Sequence, residues 1–104
     1  MRSVLLVLVL VATACRQGDR VKCEQAVRNY ATLVYWKQAD IDIAKVPENQ
    51  REALRRDKLA EFTAQMEKGL ETLVTQCQSA NNKEQIDCMI NAKTADQAKD
   101  CSGN

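Results

Sequence analysis

Apolar residues recur three and four positions apart in two long segments of the chain, which is the spacing of one face of an α-helix. Asp19 can cap the first segment, which extends to Ala44, and the second is regular from about Ala53 to Ala80. The apolar stripes comprise Cys23, Ala26, Val27, Tyr30, Leu33, Val34, Ile41 and Ala44 in the first segment, and Leu59, Phe62, Met66, Leu70, Leu73 and Cys77 in the second. The pattern predicts two amphipathic helices packed as an antiparallel hairpin.

Three polar stretches divide the chain into helices. In KVPENQ, Pro47 disfavours helix at the residue before it and suits the first turn of a new helix. In SANNKEQ, Asn81 followed three residues later by Glu84 predicts the cap of a short helix. In TADQ, Thr94 and Gln97 repeat that signal. The predicted fold is therefore all-α, a long antiparallel helical hairpin with one or two short C-terminal helices.

The first residues have the composition of a secretory signal. Arg2 precedes an apolar run of eleven residues, 4–14, which ends in small residues before Cys15. A helix needs ~20 apolar residues to span a bilayer, so this run predicts a cleaved leader rather than a retained membrane span. A buried N-terminal helix is the alternative, but a domain of this size is too small to surround a helix that is apolar on every side.

The sequence ATAC at residues 12–15 resembles the lipobox of bacterial lipoproteins, in which small residues precede a cysteine that is acylated and becomes the new N-terminus. The resemblance implies a diacylglycerol on the sulfur of Cys15, often with a further acyl chain on its amine. Two or more chains anchor stably where one does not. The chain would then divide into a cleaved signal peptide (1–14), a short membrane tether (15–18) and a helical domain (19–104).

The cellular location follows from the same resemblance. Arg16, rather than aspartate, follows the cysteine, which by analogy with lipoprotein sorting favours the outer membrane of a Gram-negative envelope, facing the periplasm. Membrane lipid would be one partner, through acylated Cys15. Ordinary signal-peptidase cleavage before Cys15 is the alternative, and it would give a soluble secreted or periplasmic protein.

The four other cysteines, at positions 23, 77, 88 and 101, form an even set, which in an oxidising compartment is typical of disulfides. Zinc and four reduced thiols are the alternatives, but zinc sites favour CxxC pairs or histidine, and the chain has neither. The expected helix registers bring Cys23 and Cys88 to the level of residue 73, which favours Cys23–Cys88 with Cys77–Cys101. Cys23–Cys77 with Cys88–Cys101 is the second possibility.

Composition excludes several functional classes. The chain has 15 Lys and Arg against 14 Asp and Glu, so it has no basic excess for nucleic-acid binding. It has no histidine and no glycine-rich loop for phosphate. Asp40 and Asp42 lack the glycine and distal glutamate of a calcium loop. We therefore expect no catalytic site, no cofactor and no small-molecule substrate.

One flank of the first helix is a candidate partner surface. Trp36 projects about 120° from the centre of the apolar stripe at ~100° per residue, with Thr32 and Ile43 on the same flank and Tyr35 adjacent. Tryptophan is enriched at binding hot spots. The alternative is that a later helix covers Trp36 in the folded domain.

The segment CQSANNKEQIDCMINAKTADQA resembles small plasmid exclusion lipoproteins, in which two cysteines at a similar separation are followed by an Asn-Ala pair, here Asn91 and Ala92. Three functions follow from the sequence. The first is a non-enzymatic envelope lipoprotein that binds another envelope protein or has a structural role. The second is an exclusion or inhibitor lipoprotein, and the third, more remote, is a secreted metal-binding protein.

Overall fold

The computed structural model describes residues 18–103, and within that range the chain is built from four α-helices. They are α1 (Arg20–Ala44), α2 (Glu48–Ala80), α3 (Lys83–Asn91) and α4 (Ala95–Gly103). The first two form a long antiparallel hairpin. The prediction of an all-α hairpin with one or two short C-terminal helices is confirmed, and two such helices are present. Cys15 and the predicted leader lie outside the described residues.

Polar side chains cap α1 and α4 at the residues that the sequence indicated, whereas α2 begins after Pro47 without a side-chain cap. The carboxylate of Asp19 accepts hydrogen bonds from the backbone N–H groups of Val21 and Lys22. The hydroxyl of Thr94 accepts from the N–H of Gln97, which caps α4. Each such bond satisfies a donor that has no partner within the first turn of the helix.

The predicted cap of α3 was displaced by one residue. Asn82, not Asn81, is the N-cap, and its side chain accepts from the N–H of Gln85 at 3.1 Å. Asn81 instead ends α2 in the left-handed conformation, with a φ of 47°. Asparagine is one of the few residues that tolerate this conformation, so the first asparagine of the pair stops one helix and the second starts the next.

The seam between α1 and α2 follows every fourth residue of each helix. On α1 the buried and half-buried residues at this spacing are Cys23, Val27, Ala31, Tyr35, Ala39 and Ile43, and on α2 they are Leu54, Lys58, Phe62, Met66, Leu70, Val74 and Gln78. Half-buried Cys77, which is bonded to Cys23, also belongs to the seam. The rings of Tyr35 and Phe62 meet across it with centroids 4.9 Å apart. Rows of every fourth residue are inclined to the helix axis, so the seam winds around both helices.

This winding explains why the predicted stripe of α2 was only partly right. A stripe alternating three and four residues apart runs nearly straight down a helix, whereas the observed seam does not. Leu59 and Leu73 therefore fall beside the seam and remain 53% and 45% exposed. Val74, which was not in the predicted stripe, is fully buried.

Helix α1 is the centre of the molecule, because each of the other three helices packs against it. The core beside the first disulfide consists of Cys23, Ala26, Val74 and Ile86. Asn29 ties α3 to α1, since its side-chain amide donates to the carbonyl groups of Met89 at 2.7 Å and Ala92 at 3.0 Å. These carbonyls lie at the end of α3, where helical partners are missing.

The four cysteines of the described range form two disulfides, as expected, but the favoured pairing was wrong. Cys23 is bonded to Cys77 and Cys88 to Cys101, with Cα atoms 5.8 and 5.7 Å apart. This is the second possibility raised by the sequence. Both distances are ordinary for a disulfide.

The favoured disulfide pairing was wrong because of which face α3 turns towards α1, and not because of how far along α1 helix α3 lies. Ile86, not Cys88, points into the core beside Cys23. Residues two apart on a helix are separated by about 200°, so Cys88 is turned outward towards α4. Cys77 lies one turn beyond the expected residue 73, close enough to bond Cys23.

Candidate functional site

The first candidate site surrounds Trp36, where the N-terminus of α4 meets the middle of α1. Trp36 is half-buried and lines an open concavity of about 360 Å³. We call this the Trp36 surface, and its residues are Thr32, Leu33, Trp36, Lys37, Asp40, Thr94, Ala95 and Asp96. Tryptophan is enriched at interface hot spots, and the rim of an interface is usually polar.

The α4 helix covers Trp36 only in part, an outcome between the two alternatives raised by the sequence. The Lys37 ammonium pairs with the carboxylate of Asp96 at 2.5 Å and joins α1 to α4 beside the indole. The hydrogen bond from Lys37, and after it the charge of Lys37, holds the pKa of Asp96 below its usual value. At neutral pH the margin of the Trp36 surface therefore carries both signs of charge.

The other two residues of the predicted partner surface have different surroundings. Tyr35 stacks on Phe62 in the seam and donates its hydroxyl proton to the carbonyl of Lys58 at 2.7 Å. Desolvation raises the pKa of that hydroxyl. Ile43 is only 2% exposed, because the seam winds over its flank of α1 near the hairpin turn. Trp36 and Tyr35 remain in contact edge to face, while Ile43 belongs to the core.

A second concavity of about 380 Å³ lies between α2 and α3, with α1 as its floor, and we call it the α2–α3 groove. No lining residue carries a charge. The lining residues are Val27, Tyr30, Ala31, Leu73, Gln76, Cys77, Ala80, Asn82, Gln85, Ile86, Met89 and Ser102. An apolar concavity with a few uncharged polar groups at its margin is suited to an apolar ligand.

The chain enters the folded unit beside one end of this groove. Gly18, expected in the tether, is buried against the end of α2 and donates its N–H to the carbonyl of Gln78 at 3.0 Å. The side-chain amide of Gln78 donates back to the carbonyl of Gly18 at 3.2 Å. Ala80 and Asn82, a few residues further along the chain, line the near end of the groove. Gly18 thus fixes where the preceding residues attach.

Sequence reasoning missed Gly18, Leu73 and Asn29 as structural or site residues. Leu73 was assigned to the core because its spacing is helical, whereas its 45% exposure results from the winding of the seam. The role of Asn29 depends on a helix 60 residues away in the chain. Gly18 gave one signal, as it is the last glycine before a long stretch without any.

Within residues 18–103, no group of three or more His, Cys, Asp or Glu side chains is placed to hold a metal ion. No helix in that range has the length and apolar character needed to cross a bilayer. No protein-family model, curated protein or solved structure matches this chain.

Proposed function

We propose that this protein is a small lipid-anchored lipoprotein of the bacterial envelope and that it acts by binding another envelope protein rather than by catalysis. The anchor is the acylated Cys15, and the partner binds the Trp36 surface. The leader composition and the ATAC resemblance support the anchor. The half-buried Trp36 in an open, charge-margined concavity supports the binding role.

The observation that carries the binding role is the position of Trp36. Its indole is held from one side by Tyr35, and its remaining surface lines the open concavity beside the N-terminus of α4. A rigid aromatic group with part of its surface still exposed loses little conformational entropy when a partner covers it. The Lys37–Asp96 pair next to it can set the orientation of the partner through charge.

Photo-crosslinking tests the binding role. A photoreactive amino acid at the exposed Thr32 should capture one discrete envelope protein, and Trp36→Ala should abolish that product. The same amino acid at Gln65, an exposed residue of α2, is the matched control and should give no product. Equal capture from both positions, or capture that survives Trp36→Ala, would contradict the proposal.

The mass of the membrane-bound chain tests the anchor separately. A mature chain that begins at Cys15 and carries acyl mass is expected, whereas a chain of unmodified mass would refute lipidation. Conjugation assays test the exclusion alternative. If the binding proposal is right, deletion of the gene should leave recipient competence unchanged.

A further inference from the structure

We propose that the α2–α3 groove holds one acyl chain carried by Cys15 of the same molecule, so that the protein shields part of its own lipid anchor. This inference rests on the proposed acylation of Cys15. It assigns a ligand to a groove that shares no lining residue with the Trp36 surface.

The lining of the groove selects an uncharged, apolar ligand. Leu73, Ile86 and Met89 face it from two helices, and Val27 lies on its floor. Leu73 is 45% exposed, so its side chain presents apolar surface to water unless something covers it. The polar groups at the margin are amides and a hydroxyl, which offer no charge to pair with an ionic ligand.

The shape of the groove suits an extended ligand. It is an open concavity of about 380 Å³ between α2 and α3, with α1 as its floor. Along α2 it extends from Leu73 to Ala80, which is about 10 Å at ~1.5 Å per residue. A hydrocarbon chain can therefore lie in it along the helices.

The tether is attached at the end of α2 where the groove also ends, but on another face of the helix. Gly18 is held there by two hydrogen bonds to Gln78, and Ala80, two residues further on, lines the end of the groove. Residues two apart lie about 160° apart around a helix, so an acyl chain on Cys15 would pass around the end of α2 to enter the groove. Three residue steps from Gly18 to Cys15 span at most ~11 Å when extended. The acyl chain is joined to the same molecule by a short tether. Its effective concentration at the groove is therefore in the millimolar range.

Metabolic labelling with a photoactivatable diazirine fatty acid tests the inference in the lipidated, full-length protein. Irradiation should link the acyl chain of Cys15 to residues 73–80 or 83–91 of the same molecule, as read by peptide mapping. Leu73→Glu should abolish this product because it places a carboxylate in the groove. Leu59→Glu, at a similarly exposed leucine of α2 outside the groove, should leave it intact.

A second measurement uses the unlipidated Cys15→Ser protein and laurdan, a neutral fluorescent probe with a dodecanoyl chain. Laurdan should bind this protein, and Leu73→Glu should weaken binding about tenfold or more while Leu59→Glu does not. Circular dichroism checks that both variants remain helical.

The outcomes separate this inference from the proposed function. Absence of label on Cys15 refutes acylation itself and the inference with it. Labelled Cys15 that links only to membrane lipid refutes the inference and leaves the anchor standing. Laurdan binding without an internal crosslink shows that the groove takes an acyl chain from another source, which also overturns the inference.

Discussion

The side-chain amide of Asn29 on α1 lies 2.7 Å from the carbonyl oxygen of Met89 on α3 and closes the end of that helix. The same amide also reaches the carbonyl of Ala92, so one side chain fixes the whole turn after α3. This turn sets the direction of α4 and therefore the position of the Trp36 surface.

Asn29→Ala should destabilise the fold by about 1–3 kcal/mol, because partly buried carbonyl groups lose their donor. Urea unfolding measures the change. Asn91→Ala is the control, since the exposed amide of Asn91 bonds only within its own helix, to the carbonyl of Asp87. A change below about 0.5 kcal/mol is expected there. Equal effects at both positions would show that Asn29 has no special role.

The two disulfides should differ in stabilisation and in accessibility. Cys23–Cys77 joins residues 54 apart and Cys88–Cys101 residues 13 apart. Chain entropy then predicts losses of about 4 and about 3 kcal/mol when each pair is replaced by alanine. Cys23 is buried whereas Cys88 is exposed, so mild reduction followed by alkylation should label Cys88 and Cys101 first. Peptide mapping that finds Cys23 labelled first would contradict this order.

Two glycine-to-alanine changes should have opposite signs. A Cβ on Gly18 would lie 3.2 Å from the Asn81 side chain and 3.3 Å from the backbone of Gln78, so Gly18→Ala should destabilise by about 1 kcal/mol. A Cβ on Gly69 meets no atom within 4 Å. Gly69→Ala should therefore stabilise α2 by about 0.5–1 kcal/mol through helix propensity. Thermal unfolding checks both signs, and stabilisation by Gly18→Ala would refute the docking of that residue.

The exposed ion pairs should increase the free energy of unfolding slightly, and this contribution should disappear at acidic pH. Arg20 holds the pKa of Glu71 below its usual value through a hydrogen bond and its charge, as Lys37 does for Asp96. A carboxyl whose pKa is lower in the folded state stabilises the fold above its unfolded pKa, and that stability disappears as the pH falls through the folded value. The melting temperature of Asp96→Asn should consequently approach that of the wild type as the pH falls from ~7 to ~3. A difference independent of pH would contradict this.

The winding of the seam predicts which apolar residues of α2 contribute most to the free energy of unfolding. Val74→Ala should cost about 2 kcal/mol, because Val74 is fully buried. Leu59→Ala should cost less than about 1 kcal/mol despite removing more carbon, since Leu59 is 53% exposed. The reverse order in chemical denaturation would support the straight stripe predicted from the sequence.

The sequence predicted the helices and their caps well because those features depend on neighbours in the chain. Asp19 and Thr94 cap helices through residues two or three positions away. The disulfide pairing and the exposure of Leu73 depend on how one helix is rotated against another, which periodicity does not determine. The burial of Ile43 has the same cause. Of the expected partner surface, Tyr35 and Trp36 are adjacent in the chain, but their edge-to-face contact also depends on side-chain orientations that periodicity does not determine.

Both disulfides join cysteines that are consecutive along the described part of the chain. This order affects how the protein can mature. With Cys15 blocked by the proposed acylation, a polypeptide delivered from its N-terminus would expose the free thiols of Cys23, then Cys77, then Cys88 and finally Cys101. Oxidation in that order forms the native bonds directly. The interleaved pairing, Cys23–Cys88 with Cys77–Cys101, would instead require Cys23 to stay reduced after Cys77 had been delivered. Otherwise an isomerase would have to exchange a non-native Cys23–Cys77 bond. We therefore expect this fold to mature with an oxidant but without disulfide shuffling, and its yield to be insensitive to loss of an isomerase.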